Sequence, residues 1–328
     1  MGNKEQAVSP AELKYRQSLS LEEKEEFTAG VIEQWYQYWD GKVYISFSGG
    51  KDSTVLLDQV RKLFPEVPAV FVDTGLEYPE IRSFVKTIEN VTWIRPKMKF
   101  QDVIEKWGYP VVSKIVSRFV SDLQNPTTKN QAVRTLHLTG YTRNGAYLQS
   151  YMLSKKWNFL VDAPFKISNH CCDVLKKRPI YKYQKSVGLA PFIGVMASNS
   201  LTRRRQYYST GCNTFNAAHP SSKPLSIWFD SDIWDYIRKY NLPYSKIYDM
   251  GEHNTGCMFC AFGVHLEKGE NRFQRMARTH PKHYKYCMEK LGMAEVLDYI
   301  GIDYKPIHGF FPQEEINKWG KIIKGENK

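Results

Sequence analysis

The 328-residue sequence lacks any apolar run approaching the roughly 18 residues that a membrane-crossing helix needs. Its first residues are polar and charged and include no secretory apolar core, so a cytoplasmic location and no membrane partner are expected. It contains no internal repeat, and no low-complexity tract beyond a Lys-rich last dozen residues expected to fray, which argues against solenoids and arrays. Cysteine is scarce at six residues, and in a reducing compartment so small a set reads as metal ligands or reactive thiols rather than a disulfide framework. Few histidines lie at ligand spacing, and no nucleic-acid-binding motif is recognised. Acidic residues are outnumbered, 34 against 46 Lys and Arg, for a formal charge of +12.

What is present is a globular composition, 42% hydrophobic and 14% aromatic. Residues 1–40 carry four basic and eight acidic side chains, a net of −4, and read as an N-terminal helical arm. Within it, 11–39 reads as helix, with Ser20 as cap and Phe27, Val31, Trp35 and Trp39 as its packing stripe. Residues 166–205 hold nine basic side chains and one acid, Asp173, so a polyanion is expected to dock there. Further boundaries are expected near 250: a nucleotide-binding domain over 41–250 and a cysteine-containing helical module over 251–328.

An apolar strand beginning at Val43 runs into Ser48-Gly-Gly-Lys-Asp-Ser53 and leaves as an amphipathic helix over 52–63. Gly49 and Gly50 permit a sharp turn and a close backbone approach, and the helix N-terminus beyond them favours an anion. A second strand, Ala69–Val72, ends in Asp73; a helix over 79–89 and a third strand, Val91–Ile94, follow. This alternation predicts an α/β fold, a doubly wound, mostly parallel twisted sheet whose ligands sit beyond the carboxyl ends of its strands. Asp73 with Asp52 is expected to hold the magnesium that accompanies nucleotide phosphates, and Glu77 is a weaker candidate. Residues 100–160 read as mainly helical, without an assigned role. A core strand over 190–197 leads to Arg203, Arg204 and Arg205, whose guanidinium forks suit phosphate or sulfate, and Lys176-Lys-Arg178 adds point charges. A helix over 230–240 follows, led by Asp230, with Ile233, Trp234 and Ile237 on one face.

Cys257-Met-Phe-Cys260 has the spacing that lets two thiolates reach one metal, and Cys171-Cys172 is the natural second pair. An iron–sulfur cluster, a structural zinc and unligated thiols all remain open on these residues. Cys287 lies in a helical aromatic setting and reads as a packing residue.

Ser48 to Ser53, the strand ending at Asp73, Cys171–Pro179, Arg203–Arg205 and Cys257/Cys260 together resemble the phosphoadenosine phosphosulfate (PAPS) reductase family, within the PP-loop N-type ATP pyrophosphatases of adenine nucleotide alpha-hydrolase-like fold. The resemblance covers roughly 40–265. It implies an adenine nucleotide, ATP or PAPS/APS, held by Ser48, Gly49, Gly50, Lys51, Asp52, Ser53, Arg203, Arg204 and Arg205. Lys51, Asp52 and Asp73 would be catalytic. It also implies a [4Fe-4S] cluster on Cys171, Cys172, Cys257 and Cys260, with Cys212 as a substitute ligand or sulfur-carrying thiol. The Glu-Cys-Gly-Leu-His motif of sulfate-reducing members is not found in Asn317–Lys328. The expected activity is therefore substrate adenylation followed by sulfur transfer, with a tRNA or DNA acceptor and a sulfur donor or thiol reductant as partners. The alternatives are a PAPS/APS reductase and a non-catalytic nucleotide or nucleic-acid binder. A side chain added at Gly50 is expected to occupy the phosphate's place and leave the fold intact.

Overall fold

The computed structural model describes residues 7–306, so the Lys-rich tail and Asn317–Lys328 lie outside the described residues. The chain forms two compact units, one from the stretch up to Val103 together with His170–Cys257, the other from Ile104–Asn169 together with the chain from Met258 onward. Strands are numbered in chain order: β1 (Val43–Ser46), β2 (Ala69–Val72), β3 (Val91–Ile94), β4 (Val111–Val112), β5 (Ala190–Ile193), β6 (Asn213–Thr214), β7 (Ser221–Ser222) and β8 (Ala261–Phe262).

The first unit carries a six-stranded sheet in the order β3-β2-β1-β5-β7-β6, parallel throughout except for the β6/β7 pair. The expected α/β architecture and mostly parallel sheet are thus present. Val43, Tyr44 and Ile45 of β1 and Ala69, Val70 and Phe71 of β2 are all buried, the continuous apolar run of strands covered on both faces. The strands run outward from β1 to β3, then the chain returns to the other side of β1 as β5, with Val43 opposite Ala190 and Ser46 opposite Ile193. This reversal makes the carboxyl ends of β1 and β5 the switch point of the sheet, where a crevice opens. Helix Lys51–Leu63 leaves β1 and buries Val55, Leu56 and Val60; helix Pro79–Lys86 buries Ile81, Phe84 and Val85.

The N-terminal arm is two helices, Pro10–Gln17 and Leu21–Tyr38. Ser20 and Glu23 form a reciprocal capping box, which ends the first helix before the second begins. Of the expected stripe Trp35 is buried, whereas Phe27, Val31 and Trp39 are half-buried and Lys24, Thr28 and Ile32 turn inward beside it. Polar partners explain the shift. Lys24 Nζ meets Asp232 at 2.6 Å, and Trp228 Nε1 donates to Thr28 Oγ1 at 2.9 Å, so a lysine and a threonine can face inward. In helix Asp230–Lys239 the buried residues are Ile233, Tyr236 and Ile237, so Tyr236 takes the place expected of Trp234.

The second unit contains helices Lys114–Gln124, Gln131–Thr139, Arg272–Thr279 and Met293–Tyr299 and the parallel pair β4/β8. Its chain crosses itself where Tyr109 N donates to Lys166 O at 2.8 Å. Gly108 makes this crossing, since a Cβ there would stand 2.1 Å from the Lys166 carbonyl.

Candidate nucleotide-binding site

The Ser48–Ser53 turn lies at the switch point. Gly49 has φ +72°, and a Cβ on it would stand 2.6 Å from Val85 Cγ2 and 2.9 Å from Ile81 Cγ2, so glycine is required by backbone and by packing together. Ser53 Oγ accepts from Ser48 N at 3.2 Å and donates to Gly50 O at 2.8 Å, closing the turn on itself. Gly194, just beyond β5, comes so close that a Cβ would lie 3.1 Å from Asp52 O, Ser53 N and Ser53 Cα. Its lack of a side chain seats the loop helix against the sheet.

The helix begins at Lys51 without a side-chain cap from Gly50. Two amides at its mouth are taken by side-chain oxygens: Gly50 N donates to Ser48 Oγ at 3.3 Å, and Lys51 N donates to Tyr248 Oη at 2.8 Å. Tyr248 Oη also lies 3.4 Å from Thr255 Oγ1. Burial pushes the Tyr248 phenol up, against the opposing effect of these bonds, so the group at the amide is a neutral hydroxyl. A Cβ on Gly50 would stand 2.4 Å from Thr255 Oγ1. Thr255 Oγ1 and Tyr248 Oη stand in the space that a side chain at Gly50 would enter.

Lys51 is buried, and its ammonium contacts Asp52 Oδ1 at 2.9 Å and Asp230 Oδ1. Burial works against this charge, but the two carboxylates outweigh it and raise the Lys51 pKa. Arg203 lies within electrostatic reach of Asp52, which brings the start of the arginine triplet to the loop. Arg203, Arg204 and Arg205 occupy helix Leu201–Thr210, capped by Ser200. Three consecutive positions of a helix point about 100° apart, so Arg203, Arg204 and Arg205 fan around it and do not converge as one fork-shaped grip. All three are exposed and form no ion pair among the described residues. A cleft of about 560 Å³ adjoins this corner, lined by Ser198, Asn199, Phe229, Asp230, Ser231 and Asn254.

Asp73 stands at the end of β2 as expected, but Arg82 and Arg95 hold its Oδ2 at 3.0 and 3.1 Å, and its buried Oδ1 has no hydrogen-bond partner among the described residues. Glu77 accepts from Thr74 N at 2.9 Å and Thr74 Oγ1 at 2.8 Å and lies 4.0 Å from Lys176 Nζ. Among the described residues no three Cys, His, Asp or Glu side chains stand together as a metal-holding group. Asp52 contacts Lys51, and Asp73 contacts Arg82 and Arg95, so each carboxylate faces a cation of the protein.

Cys257 and Cys172 are within electrostatic range of each other, with the Lys176 ammonium hydrogen-bonded to Cys257. Cys257 ends the first unit, and Cys260 belongs to the second, where its carbonyl accepts from Arg272 Nη1 at 3.0 Å. Cys212 is buried among Ser226, Arg16 and Lys223, and burial pushes its thiol up to about 12. No cysteine is among the partners that set its pKa. Among the described residues no three thiols are found together as a metal-holding group. Cys287 is buried, as a packing residue should be. Of the basic run after Cys172, Lys176 faces Cys257 and Glu77, Arg178 pairs with Asp173 at 2.9 Å, and Lys177 is exposed.

Sequence reasoning assigned no site role to Tyr248, Thr255, Gly194, Arg82 or Arg95. Only Thr255-Gly256, leading into the Cys-x-x-Cys pair, carried a local signal. The others come to the loop and to Asp73 through tertiary structure.

Several known proteins are similar to this chain. Two uncharacterized Methanocaldococcus jannaschii proteins are each 24% identical, over 94% and 77% of the chain; the chain spans 62% and 42% of their lengths. Adenosine 5'-phosphosulfate reductase 2 of Bacillus subtilis is 25% identical over 70% of this chain and 77% of its own, and the Staphylococcus haemolyticus adenosine 5'-phosphosulfate reductase 22% over 75% and 82%. Among solved structures, a Candida auris PAPS reductase matches at 16% identity and TM-score 0.40, over 76% of this chain and 96% of its own. The phosphoadenosine phosphosulfate reductase domain profile matches residues 42–136 and 136–262, taking in the loop, Asp73, the arginine triplet and both cysteine pairs. By that match over more than half of its length, the chain belongs to the phosphoadenosine phosphosulfate reductase family.

Proposed function

We propose that the Ser48–Ser53 loop binds the phosphates of an adenine nucleotide and that the protein activates a substrate by adenylation for sulfur transfer. The observation that carries this reading is the loop itself: an anion-favouring helix N-terminus at the sheet's switch point, with Arg203 within electrostatic reach of its Asp52. In the proposed reaction a substrate oxygen attacks the alpha phosphorus. The bond from that phosphorus to the oxygen bridging it to the beta phosphorus breaks, and pyrophosphate leaves with the electron pair. Helix amides, Lys51 and Arg203 would balance the charge that develops on the leaving group, with Arg204 and Arg205 adding to the positive field around it. Magnesium would travel with the nucleotide, with Asp52, partly exposed beside Lys51, available to it. The [4Fe-4S] cluster rests on family resemblance at Cys171, Cys172, Cys257 and Cys260 alone.

The names of the Bacillus and Staphylococcus relatives favour a second reading, reduction of adenylyl or phosphoadenylyl sulfate. Product analysis separates the two. Pyrophosphate release from ATP supports adenylation; sulfite release from adenosine 5'-phosphosulfate with a thiol reductant, and none of pyrophosphate from ATP, replaces it with reduction.

A further inference from the structure

The second unit presents a segment that the nucleotide site does not use. From Leu123 to Val161 there is no Asp or Glu, while Lys129, Arg134, Arg143, Lys155 and Lys156 give five positive charges in 39 positions. Among the described residues, seven of the 17 exposed large hydrophobic side chains fall within 133–159, so this one stretch concentrates apolar surface that a soluble chain usually covers. Four of the seven are aromatic: Tyr141 at 52% exposure, Tyr147 at 50%, Tyr151 at 45% and Phe159 at 40%.

The segment is ordered by its own hydrogen bonds. Helix Gln131–Thr139 ends at Gly140, φ +77°, where a Cβ would stand 2.6 Å from the Tyr147 ring. A tight hairpin follows, with Thr142 N donating to Ala146 O at 2.9 Å and Leu148 N to Gly140 O at 2.7 Å. It sets the Tyr141 and Tyr147 rings 5.1 Å apart and carries Arg143 at its tip. Leu153 N then donates to His137 O at 2.8 Å, tying the chain back to the helix before Lys155 and Lys156. Lys156 Nζ lies 4.9 Å from the Trp157 ring centre.

We propose that residues 123–161 form a docking surface for single-stranded nucleic acid. A flexible polyanion with flat π faces matches both features: phosphates pair with the exposed cations, and unstacked bases lie on the tyrosine rings. A duplex hides its base faces and would use the charges alone. None of these residues belongs to the nucleotide loop, so the proposal stands or falls apart from the reading of that site.

The test is fluorescence anisotropy of a labelled oligothymidine and of a duplex of equal length, titrated with the full chain across a salt series. Tighter binding of the single strand is expected, with log affinity falling against log salt at a slope of about −2 for three phosphate contacts. Tyr141→Ala should weaken it at least about fivefold while Tyr141→Phe preserves it, as stacking requires. The combined Arg143→Glu, Lys155→Glu variant, altered only at exposed positions, should flatten the salt slope. Nucleotide turnover should be the same in all three variants. Equal affinity for duplex and single strand, no measurable binding, or wild-type affinity in the charge variant would overturn the proposal. So would wild-type affinity in a cooperatively melting Tyr141→Ala.

Discussion

The Lys51 amide donates to the Tyr248 hydroxyl at 2.8 Å, so a side-chain oxygen from 197 residues away sits where a bound anion would accept. Removing that oxygen frees the amide. Tyr248→Phe should lower the stability of the nucleotide-free protein by about 1 kcal/mol, the usual net value of one hydrogen bond, and strengthen nucleotide binding about fivefold, because the ligand no longer displaces the phenol. Calorimetric titration of both proteins checks this; unchanged or weaker binding in the variant would mean that the phenol does not compete.

The two loop glycines should separate in their effects. Gly49→Ala combines a left-handed backbone with contacts to Val85 and Ile81 that cannot be relieved by one rotation, and should cost about 2–4 kcal/mol in denaturant unfolding. Gly50→Ala meets the hydroxyl of Thr255, a side chain that can turn, and should cost about 1 kcal/mol or less. Equal losses would refute the distinction.

Asp73→Asn tests whether this carboxylate serves as an anchor or as a metal ligand. Its side chain is 3% exposed and binds two arginines that are themselves 41% and 72% exposed, so solvent screening moderates the loss. A destabilisation of about 1–3 kcal/mol without added metal is expected. Unchanged metal-free stability, with an altered magnesium dependence of turnover, would return Asp73 to the metal site.

Cys212 gives a pH signature. Its folded value, about 12, lies above its ordinary 9.0, so the neutral thiol is favoured by folding. Its contribution is present in full below pH 9.0 and is lost as pH rises toward about 12, because the unfolded chain ionises first. The stability advantage of wild type over Cys212→Ala should therefore shrink from pH 8.5 to 10.5 (roughly, by the linkage relation). A constant difference would mean that folding leaves the thiol's pKa unchanged, and a difference that grows with pH would show a thiolate already ionised in the folded chain, the form that a metal requires.

Much of the first unit was legible because its signals are local. Val91–Ile94 and Ala69–Val72 have the expected ends, and Ser48–Ser53 turns where its glycines permit. The N-terminal stripe was misplaced because Lys24 and Thr28 are buried only by virtue of Asp232 and Trp228, some 200 positions away. The ion pair of Asp73 with Arg95 was not legible because nothing in the neighbouring sequence announces Arg95. Tyr248 was invisible for the same reason. The arginine run looked like one grip because adjacency in sequence says nothing of the helix that turns Arg204 and Arg205 away from Arg203. Residues 100–160 read as helical and are so up to Thr139, but the hairpin after Gly140 carries a surface that periodicity does not report.

The Ser48–Ser53 loop is proposed to hold the nucleotide's phosphates. Calorimetric titration of ATP and of adenosine 5'-phosphosulfate into wild type and Gly50→Val, each with its thermal melt, tests it most directly. Saturable binding of at least one nucleotide by wild type, weakened at least about tenfold in a variant that still melts cooperatively, is the predicted result. Wild-type affinity in Gly50→Val, or no binding of either nucleotide by the intact protein, would contradict it.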